Sequence, residues 1–141
     1  MIDEPYRTEI IEELATGIAS AARTSLGDTL RSTIYFTPSD FDILYLRQDL
    51  YDSVDDARRA KAQLVELEQV GFAEGPVRTA LGHGDAGSNI GEYEFTVRFH
   101  DDGFVLRVLQ GGSGVLLTID SMDANAFEDA AIAVQELLRG E

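Results

Sequence analysis

The chain contains no cysteine and only one lysine, Lys61, among its 141 residues. The lack of cysteine excludes a disulfide framework, a thiolate metal site and a cysteine nucleophile. No apolar run approaches the roughly 20 residues of a membrane-spanning helix, and the acidic N-terminus lacks the basic and apolar regions of a secretory signal. We therefore expect a cytoplasmic protein that does not enter a membrane, folded as a single domain over residues 1–141.

Positive charge is scarce: 26 acidic residues oppose 11 basic ones, which gives a net charge of −15 at pH 7. The acidic residues are spread along the chain, and this pattern resembles that of proteins from salt-accumulating haloarchaea, whose cytoplasmic salt screens carboxylate repulsion. The alternative is charge that serves a basic partner, which usually forms blocks. The same balance argues against nucleic-acid binding, because phosphate contacts need a basic surface.

Three segments have the apolar spacing of amphipathic helices. The first covers residues 6–26 and is followed by Gly27, which suits a C-terminal cap. The second covers residues 53–71, with Ser53 placed to begin a variant of the capping box. The third covers residues 121–140, which completes a prediction of three helices.

Alternating apolar and polar residues predict two hairpins, over residues 30–46 and 93–108. Residues 115–119 are apolar on both faces of a strand, which indicates a central position in a sheet. Between the second helix and the second hairpin, residues 73–91 are rich in glycine and have no clear period. They predict a long loop, and a loop of that length is the first place to look for function.

The register of the second hairpin has two alternatives. A two-residue loop at Asp102-Gly103 would set two arginines opposite each other, which like-charge repulsion disfavours. A four-residue loop instead pairs Phe99 with Phe104 and carries this register along both strands, so that Val97 faces Leu106. We therefore predict the longer loop.

The elements follow the order α-β-β-α-β-β-β-α, which predicts an α+β fold with a five-stranded antiparallel sheet flanked by three helices. This order resembles that of roadblock/dynein light chain domains and, more loosely, of longin, profilin and GAF-like folds. The resemblance implies a homodimer whose sheet extends across two subunits and which binds small GTPases or scaffold partners. The long 73–91 connection departs from the compact roadblock pattern. The amino-acid sequence of residues 41–47 also resembles that of small uncharacterised haloarchaeal families.

Two glycine-rich motifs are better explained by loops than by nucleotide binding. Residues 82–87 have the spacing of a dinucleotide-binding loop, but that motif follows a strand and opens a helix, whereas here the predicted order is reversed. Residues 111–114 lack the lysine of a phosphate-binding loop and lie between strands. We therefore expect no cofactor.

His83 and His100 are the only side chains with an unperturbed pKa near neutrality. Nothing in their spacing requires convergence with carboxylates, so no metal ligands or catalytic residues are assigned. No serine lies in the strand-to-helix turn of a nucleophile elbow. Within the glycine-rich loop, the candidates for a ligand are His83, Asp85, Ser88 and Asn89.

Aromatic residues in and after the first hairpin form a second group of candidates. Tyr35, Tyr45 and Tyr51, with Arg47 near the end of the hairpin, would line an exposed sheet edge and bind a partner. The alternative is that the tyrosines cover the second face of the sheet beneath a helix.

Three functions remain open. The first is a non-enzymatic interaction or regulatory module, a homodimer acting as a scaffold or GTPase-associated regulator in a high-salt cytoplasm. The second is a small-ligand sensor with a GAF- or profilin-like pocket between sheet and helix under the 73–91 loop. The third is a hydrolase-type enzyme that uses His83 or His100.

Overall fold

The computed structural model describes residues 6–83, 93–120 and 124–140. The elements are α1 (Glu12–Leu26), a short 3-10 helix (Gly27–Thr29), β1 (Leu30–Phe36), β2 (Phe41–Leu46), α2 (Val54–Gln69), α3 (Gly71–His83), β3 (Phe95–His100), β4 (Gly103–Gln110), β5 (Ser113–Ile119) and α4 (Ala124–Leu138). The predicted α+β class, the five antiparallel strands and the three predicted helices are confirmed. Helix α3 is an addition to them.

The five strands form one sheet in the order β2-β1-β5-β4-β3. Strand β5 lies at its centre, as its apolar sequence predicts. The register of the second hairpin also agrees with the prediction, because Phe99 pairs with Phe104 and Val97 with Leu106. The predicted four-residue loop is wrong in length: His100 also pairs with Gly103, so only two residues form the turn.

Apolar side chains cover both faces of the sheet. On one face, α1 and α4 pack together over the strands through small residues; the buried members of this cluster include Ala15, Ile18, Ala22, Leu106, Leu117, Ala130, Ala131 and Val134. On the other face, α2 and the start of α3 cover a second cluster, which contains Ile34, Phe36, Phe41, Val65, Val105 and Leu116. The sheet therefore separates two cores, and burial of both faces stabilises its position between the helices.

Helix α1 begins later than predicted. The backbone N–H groups of Arg7 and Thr8 donate to the carboxylate of Asp42 on β2, over 3.0 and 2.8 Å. These contacts hold the residues before Glu12 against the sheet instead of in a helical turn. The predicted end of α1 is confirmed, because Gly27 caps it with a φ of 58°, a conformation that favours glycine.

The predicted loop over residues 73–91 is wrong in its first half. Helix α3 runs from Gly71 to His83 and follows α2 after a single intervening residue. The rest of the predicted loop, residues 84–91, lies outside the described residues. Where the sequence predicts a helix followed by a loop, the structure therefore has two successive helices.

Tertiary contacts explain why α3 forms despite the glycine and proline residues inside it, which have low helix propensity. The Phe72 ring packs against Phe36, with ring centroids 5.2 Å apart. In the first turn, Glu74 accepts a 2.6 Å hydrogen bond from Arg107 on β4. Helical stability in proteins comes mainly from such packing, and periodicity in the sequence does not report it.

Within the described ranges, no helix has the length and apolar character needed to cross a membrane.

Candidate functional site

The two outer strands of the sheet differ in what covers them. At the start of β2, the Arg58 guanidinium lies 3.9 Å from the centre of the Phe41 ring and donates to the Phe41 carbonyl over 2.9 Å. Asp42 binds the segment that precedes α1. Side chains and backbone of the same chain therefore cover the beginning of this edge.

Strand β3 forms the opposite edge and pairs, within the described part of the chain, with β4 alone. Its first three residues are half-buried and its last three are exposed. Phe99 is 68% exposed, and its ring centroid lies 5.9 Å from that of Phe104. An unpaired strand edge with an exposed aromatic residue is a template for pairing with another chain.

An ion-pair cluster around two buried side chains, Glu68 and Arg107, lies behind β3; we call it the Arg107 cluster, and it also contains Glu74 and Arg98. Arg98 on β3 donates to Glu68 at the end of α2 over 2.6 Å. Arg107 on β4 donates to the other oxygen of Glu68 over 3.0 Å. Glu68 therefore bridges two neighbouring strands and sets the position of β3 relative to α2.

The second terminal nitrogen of Arg107 holds the start of α3 and β3. It donates to Glu74 over 2.6 Å, to Thr96 Oγ1 over 3.1 Å and to the Tyr93 hydroxyl over 3.3 Å. Arg107 Nε has no hydrogen-bond partner among the described residues. The guanidinium therefore connects two helices to two strands.

Electrostatics keep the cluster charged. Burial lowers the pKa of Arg107, but hydrogen bonds to Glu74 and Tyr93 outweigh it, and the net effect is a raised pKa. The hydrogen bond from Arg107 lowers the pKa of Glu74. Neither shift brings a pKa closer to neutral pH. The arrangement therefore suits a structural support for the β3 edge better than proton transfer.

Sequence reasoning missed the Arg107 cluster. Glu68 and Arg107 are 39 residues apart, and no local motif connects them. The one available sign was an arginine at an otherwise apolar stretch of β4, whose neighbours Leu106 and Val108 are fully buried.

The tyrosines of the first hairpin do not share one exposed edge. Tyr35 lies on β1, an inner strand, and is 9% exposed within the core beneath α1, so its predicted place at an exposed edge is wrong. Tyr45 is half-buried on the outer strand β2, and its hydroxyl accepts a 2.6 Å hydrogen bond from Arg23 of α1. Both positions agree with the alternative of tyrosines beneath a helix.

Arg47 and Tyr51 lie beyond β2. Arg47 forms ion pairs with Asp120 over 2.5 Å and with Asp49 over 2.7 Å, which raise its pKa, Asp120 most strongly. Tyr51 is half-buried, with the Lys61 ammonium 5.7 Å from its ring. As partner-binding residues, these two stay a prediction, as does Tyr45.

The ligand candidates of the glycine-rich segment are only partly placed. His83 is the last residue of α3, and its side chain lies outside the description, as do Asp85, Ser88 and Asn89. His100 is exposed at the end of β3. Among the described residues, no three histidine, aspartate or glutamate side chains are grouped so that they could hold a metal ion.

A cavity of about 500 Å³ lies between α3, the β4–β5 turn and α4. Its lining combines apolar Phe72 and Leu109 with polar Gln135 and Arg139. Gln135 donates to the Glu94 carbonyl over 2.9 Å, so part of this polar wall is already engaged. The volume is within the range of small-molecule sites.

Comparisons with known proteins agree with this fold. A family model described as a domain of unknown function (DUF7522) matches residues 16–139. No curated protein matches the chain.

Three solved structures described as MglB are similar over nearly the whole chain. The gliding protein MglB from Thermus thermophilus is 14% identical, with a TM-score of 0.56 over 100% of this chain and 96% of that one. MglB from Myxococcus xanthus is 9% identical, with a TM-score of 0.54 over 93% of this chain and 94% of its own. A structure described as MglB with a tetrameric arrangement is 14% identical, with a TM-score of 0.52, and covers 99% and 94%. At these identities the likeness establishes the fold.

Proposed function

We propose that this chain, which belongs to the family described as a domain of unknown function (DUF7522), is a non-enzymatic interaction module that works as a homodimer. It acts as a scaffold or GTPase-associated regulator, the role implied by the roadblock resemblance. A cytoplasm of high salt and the absence of a nucleic-acid partner belong to the same proposal, because both follow from the net charge of −15.

The observation that carries the proposal is the contrast between the two edges of the sheet. The start of β2 is covered by Arg58 and by the segment before α1, whereas β3 presents Phe99 at 68% exposure. Pairing of β3 with β3 of a second copy extends the sheet and buries this ring. Such a contact uses the same patch twice, which is the arrangement of a two-fold symmetric dimer.

Charge favours one register for this pairing. In an antiparallel pair about a two-fold axis normal to the sheet, the central residue faces its own copy. A centre at Arg98 would oppose two guanidiniums, which is destabilising, so we expect the centre at Val97. That register places Phe99 opposite Phe95 of the second copy, where the two aromatic rings cover each other.

The Arg107 cluster supports this interface without entering it. Glu68 is 2% exposed and already neutralises Arg98 from behind the sheet. Association at β3 therefore leaves no unpaired buried charge, which would otherwise cost several kcal/mol.

Cysteine cross-linking tests the interface, because the chain contains no native cysteine. We expect Val97→Cys to form a covalent dimer under mild oxidation, since Cα atoms of directly opposed residues lie about 4.5–5.5 Å apart. The matched control is Val54→Cys at the start of α2, 70% exposed and away from β3. Equal cross-linking of both variants would reflect random collisions and would contradict the proposal.

Sedimentation and partner capture complete the test. In molar salt, the wild type should sediment as a dimer and Phe99→Asp should shift towards monomer, because a carboxylate replaces the ring at the interface. Capture from a high-salt lysate should then enrich a small GTPase with the wild type as bait. A strictly monomeric wild type at micromolar concentration would rule out the homodimer.

A second candidate is a small-ligand sensor, favoured by the cavity of about 500 Å³ between α3 and α4. It lies between the sheet and helices, beside the helix that replaces the first half of the predicted loop. Substituting Leu109 by tryptophan should fill the cavity and abolish ligand-induced thermal stabilisation in a screen of small metabolites. Stabilisation that persists in this variant would place the ligand elsewhere.

A further inference from the structure

The only lysine of the chain lies at a second cavity, beneath helix α2. This cavity has a volume of about 480 Å³ and lies between α2, β5 and the turn that joins β3 to β4. Lys61 and Leu64 line it from α2, and Arg31 lines it from β1. Two cationic side chains therefore line one cavity in a strongly acidic protein.

Lys61 is 6% exposed, yet it makes no hydrogen bond or ion pair within the described part of the chain. Its ammonium lies over the face of the Tyr51 ring, 5.7 Å from the centroid. The Lys61 ammonium is not among the fully enclosed side-chain nitrogens, so it reaches the cavity although the rest of the side chain is buried. A charge in such a partly desolvated position normally has a carboxylate partner, because burial of an unpaired charge is costly. With 26 acidic residues in the chain, the lack of a carboxylate partner among the described residues is informative.

The carboxylates around the cavity are engaged elsewhere or lie at its rim. Asp120 binds Arg31 over 2.7 Å and Arg47 over 2.5 Å. Asp101 and Asp102 line the cavity from an exposed turn and form no ion pair with Lys61. Among the residues that the structure describes, the lysine therefore lines the cavity without a counterion.

We propose that this cavity binds a small oxyanion, the carboxylate or phosphate group of a ligand, between the Lys61 ammonium and the Arg31 guanidinium. Thr118 also lines the space, and its hydroxyl already shares a 2.5 Å hydrogen bond with Ser32. The apolar stem of the ligand would contact Leu64 and Val105. The proposal concerns a different surface from the β3 edge and does not depend on dimerisation.

Electrostatics agree with this geometry. Burial, and secondarily the charge of Arg31, lower the pKa of Lys61 to about 8. An anion beside the ammonium opposes both effects and should raise this pKa towards its ordinary value of 10.5. Since the protonated lysine is the form that binds more tightly, affinity should fall as pH rises from about 8 towards the raised pKa of the complex, by up to about tenfold for each pH unit in that interval, and should level off above it. The other titratable or charged groups that line the cavity are Arg31, His100, Asp101 and Asp102, and the Tyr51 ring faces the Lys61 ammonium.

A single lysine makes the test direct. Protein labelled with ¹³C-lysine gives one lysine side-chain signal in NMR, and its pH titration reports the pKa of Lys61. We expect a value near 8 in chloride alone, raised by acetate or by phosphate at constant ionic strength. The ion that raises the lysine pKa more identifies the ligand group as a carboxylate or a phosphate. We expect acetate to have the larger effect, because the two aspartates at the rim repel the phosphate dianion more strongly than the acetate monoanion. A lysine pKa unaltered by both ions would overturn the proposal.

Two arginine variants separate binding from a structural effect. Arg31→Gln should raise the lysine pKa in chloride, since a repelling charge is removed, and should weaken anion binding about tenfold or more. Arg47→Gln also removes a partner of Asp120 but does not line the cavity, so anion binding should be preserved. Equal weakening by both variants would assign the effect to Asp120 and would contradict the proposal. Sedimentation of the same samples reports the dimer separately, so failure of the anion-binding proposal can be distinguished from failure of the dimer proposal.

Discussion

Arg107 and Glu68 form an ion pair of 3.0 Å in which the two side chains are only 1% and 3% exposed. Taking both charges out of water is costly, and the hydrogen bonds of Glu68 to Arg107 and Arg98 and of Arg107 to Glu74 compensate for it. Arg107 lies within the sheet and Glu68 in the last turn of α2. The pair therefore joins a helix end to a strand at one defined position, directly behind the β3 edge.

Removal of this arginine should be strongly destabilising. We expect Arg107→Leu to lower the free energy of unfolding by about 3–5 kcal/mol, because it leaves the buried Glu68 carboxylate with only the more exposed Arg98 as a partner and removes the partner of Glu74. Arg98→Leu is the matched control: Arg98 binds the same glutamate but is 45% exposed, so its loss should cost about 1 kcal/mol or less. Denaturant unfolding in molar salt measures both, and equal losses would show that burial of the pair is unimportant.

Gly71 makes room for the Arg107 guanidinium. A Cβ atom at this position would lie 2.5 Å from Arg107 Cζ, and two glutamates hold the guanidinium in place. Gly71→Ala should therefore lower the free energy of unfolding by about 1–3 kcal/mol. Gly17→Ala in α1 is the control, because its Cβ would meet Leu137 at an ordinary 3.6 Å and should stabilise by about 0.5–1 kcal/mol. Stabilisation by both substitutions would mean that the guanidinium moves freely.

The Glu74 carboxylate should contribute to acid sensitivity. The hydrogen bond from Arg107 holds its pKa below the ordinary 4.5, so the folded protein binds this proton less readily than the unfolded chain. The stabilising contribution is then complete above about pH 4.5 and is lost as pH falls through the lower, folded pKa. Melting curves from neutral to acidic pH should show a smaller acid-induced loss for Glu74→Gln than for the wild type.

The control for this measurement is Glu66→Gln, which removes the same charge from an exposed position on α2. Both variants change the net charge equally, so the difference between them isolates the contact with Arg107. Indistinguishable pH profiles of the two variants would be incompatible with a lowered Glu74 pKa.

Lower salt should destabilise the protein, because screening of the net charge of −15 is lost. We expect the melting temperature to fall steadily as potassium chloride is reduced from molar concentration. Chloride is preferable to sulfate here, since sulfate also strengthens apolar burial by exclusion from the surface. A cooperative melt at unchanged temperature in ~50 mM salt would contradict the expected role of screening.

Local pattern was sufficient for much of the fold. The first hairpin, the cap at Gly27 and the register of Phe99 with Phe104 depend on neighbours within a few residues, and the sequence predicts all three. The predictions for the start of α1 and for the first half of the loop were wrong, because these features depend on residues that are distant in the sequence. Asp42 binds the residues before α1, and Arg107 binds the first turn of α3, and both contacts join distant parts of the chain.

The candidate sites show the same division. Composition alone establishes the acidic balance, the lack of cysteine and the presence of one lysine, because these are properties of the residue list. Apolar periodicity determines the helices and strands, because it depends on which side chains share a face. Only the tertiary structure decided that Arg107 is buried between two glutamates and that Lys61 lines a cavity without a counterion among the described residues. Both facts depend on the surroundings of the charged group at the end of a long side chain. Residues 30 or more positions away in the sequence contribute to those surroundings.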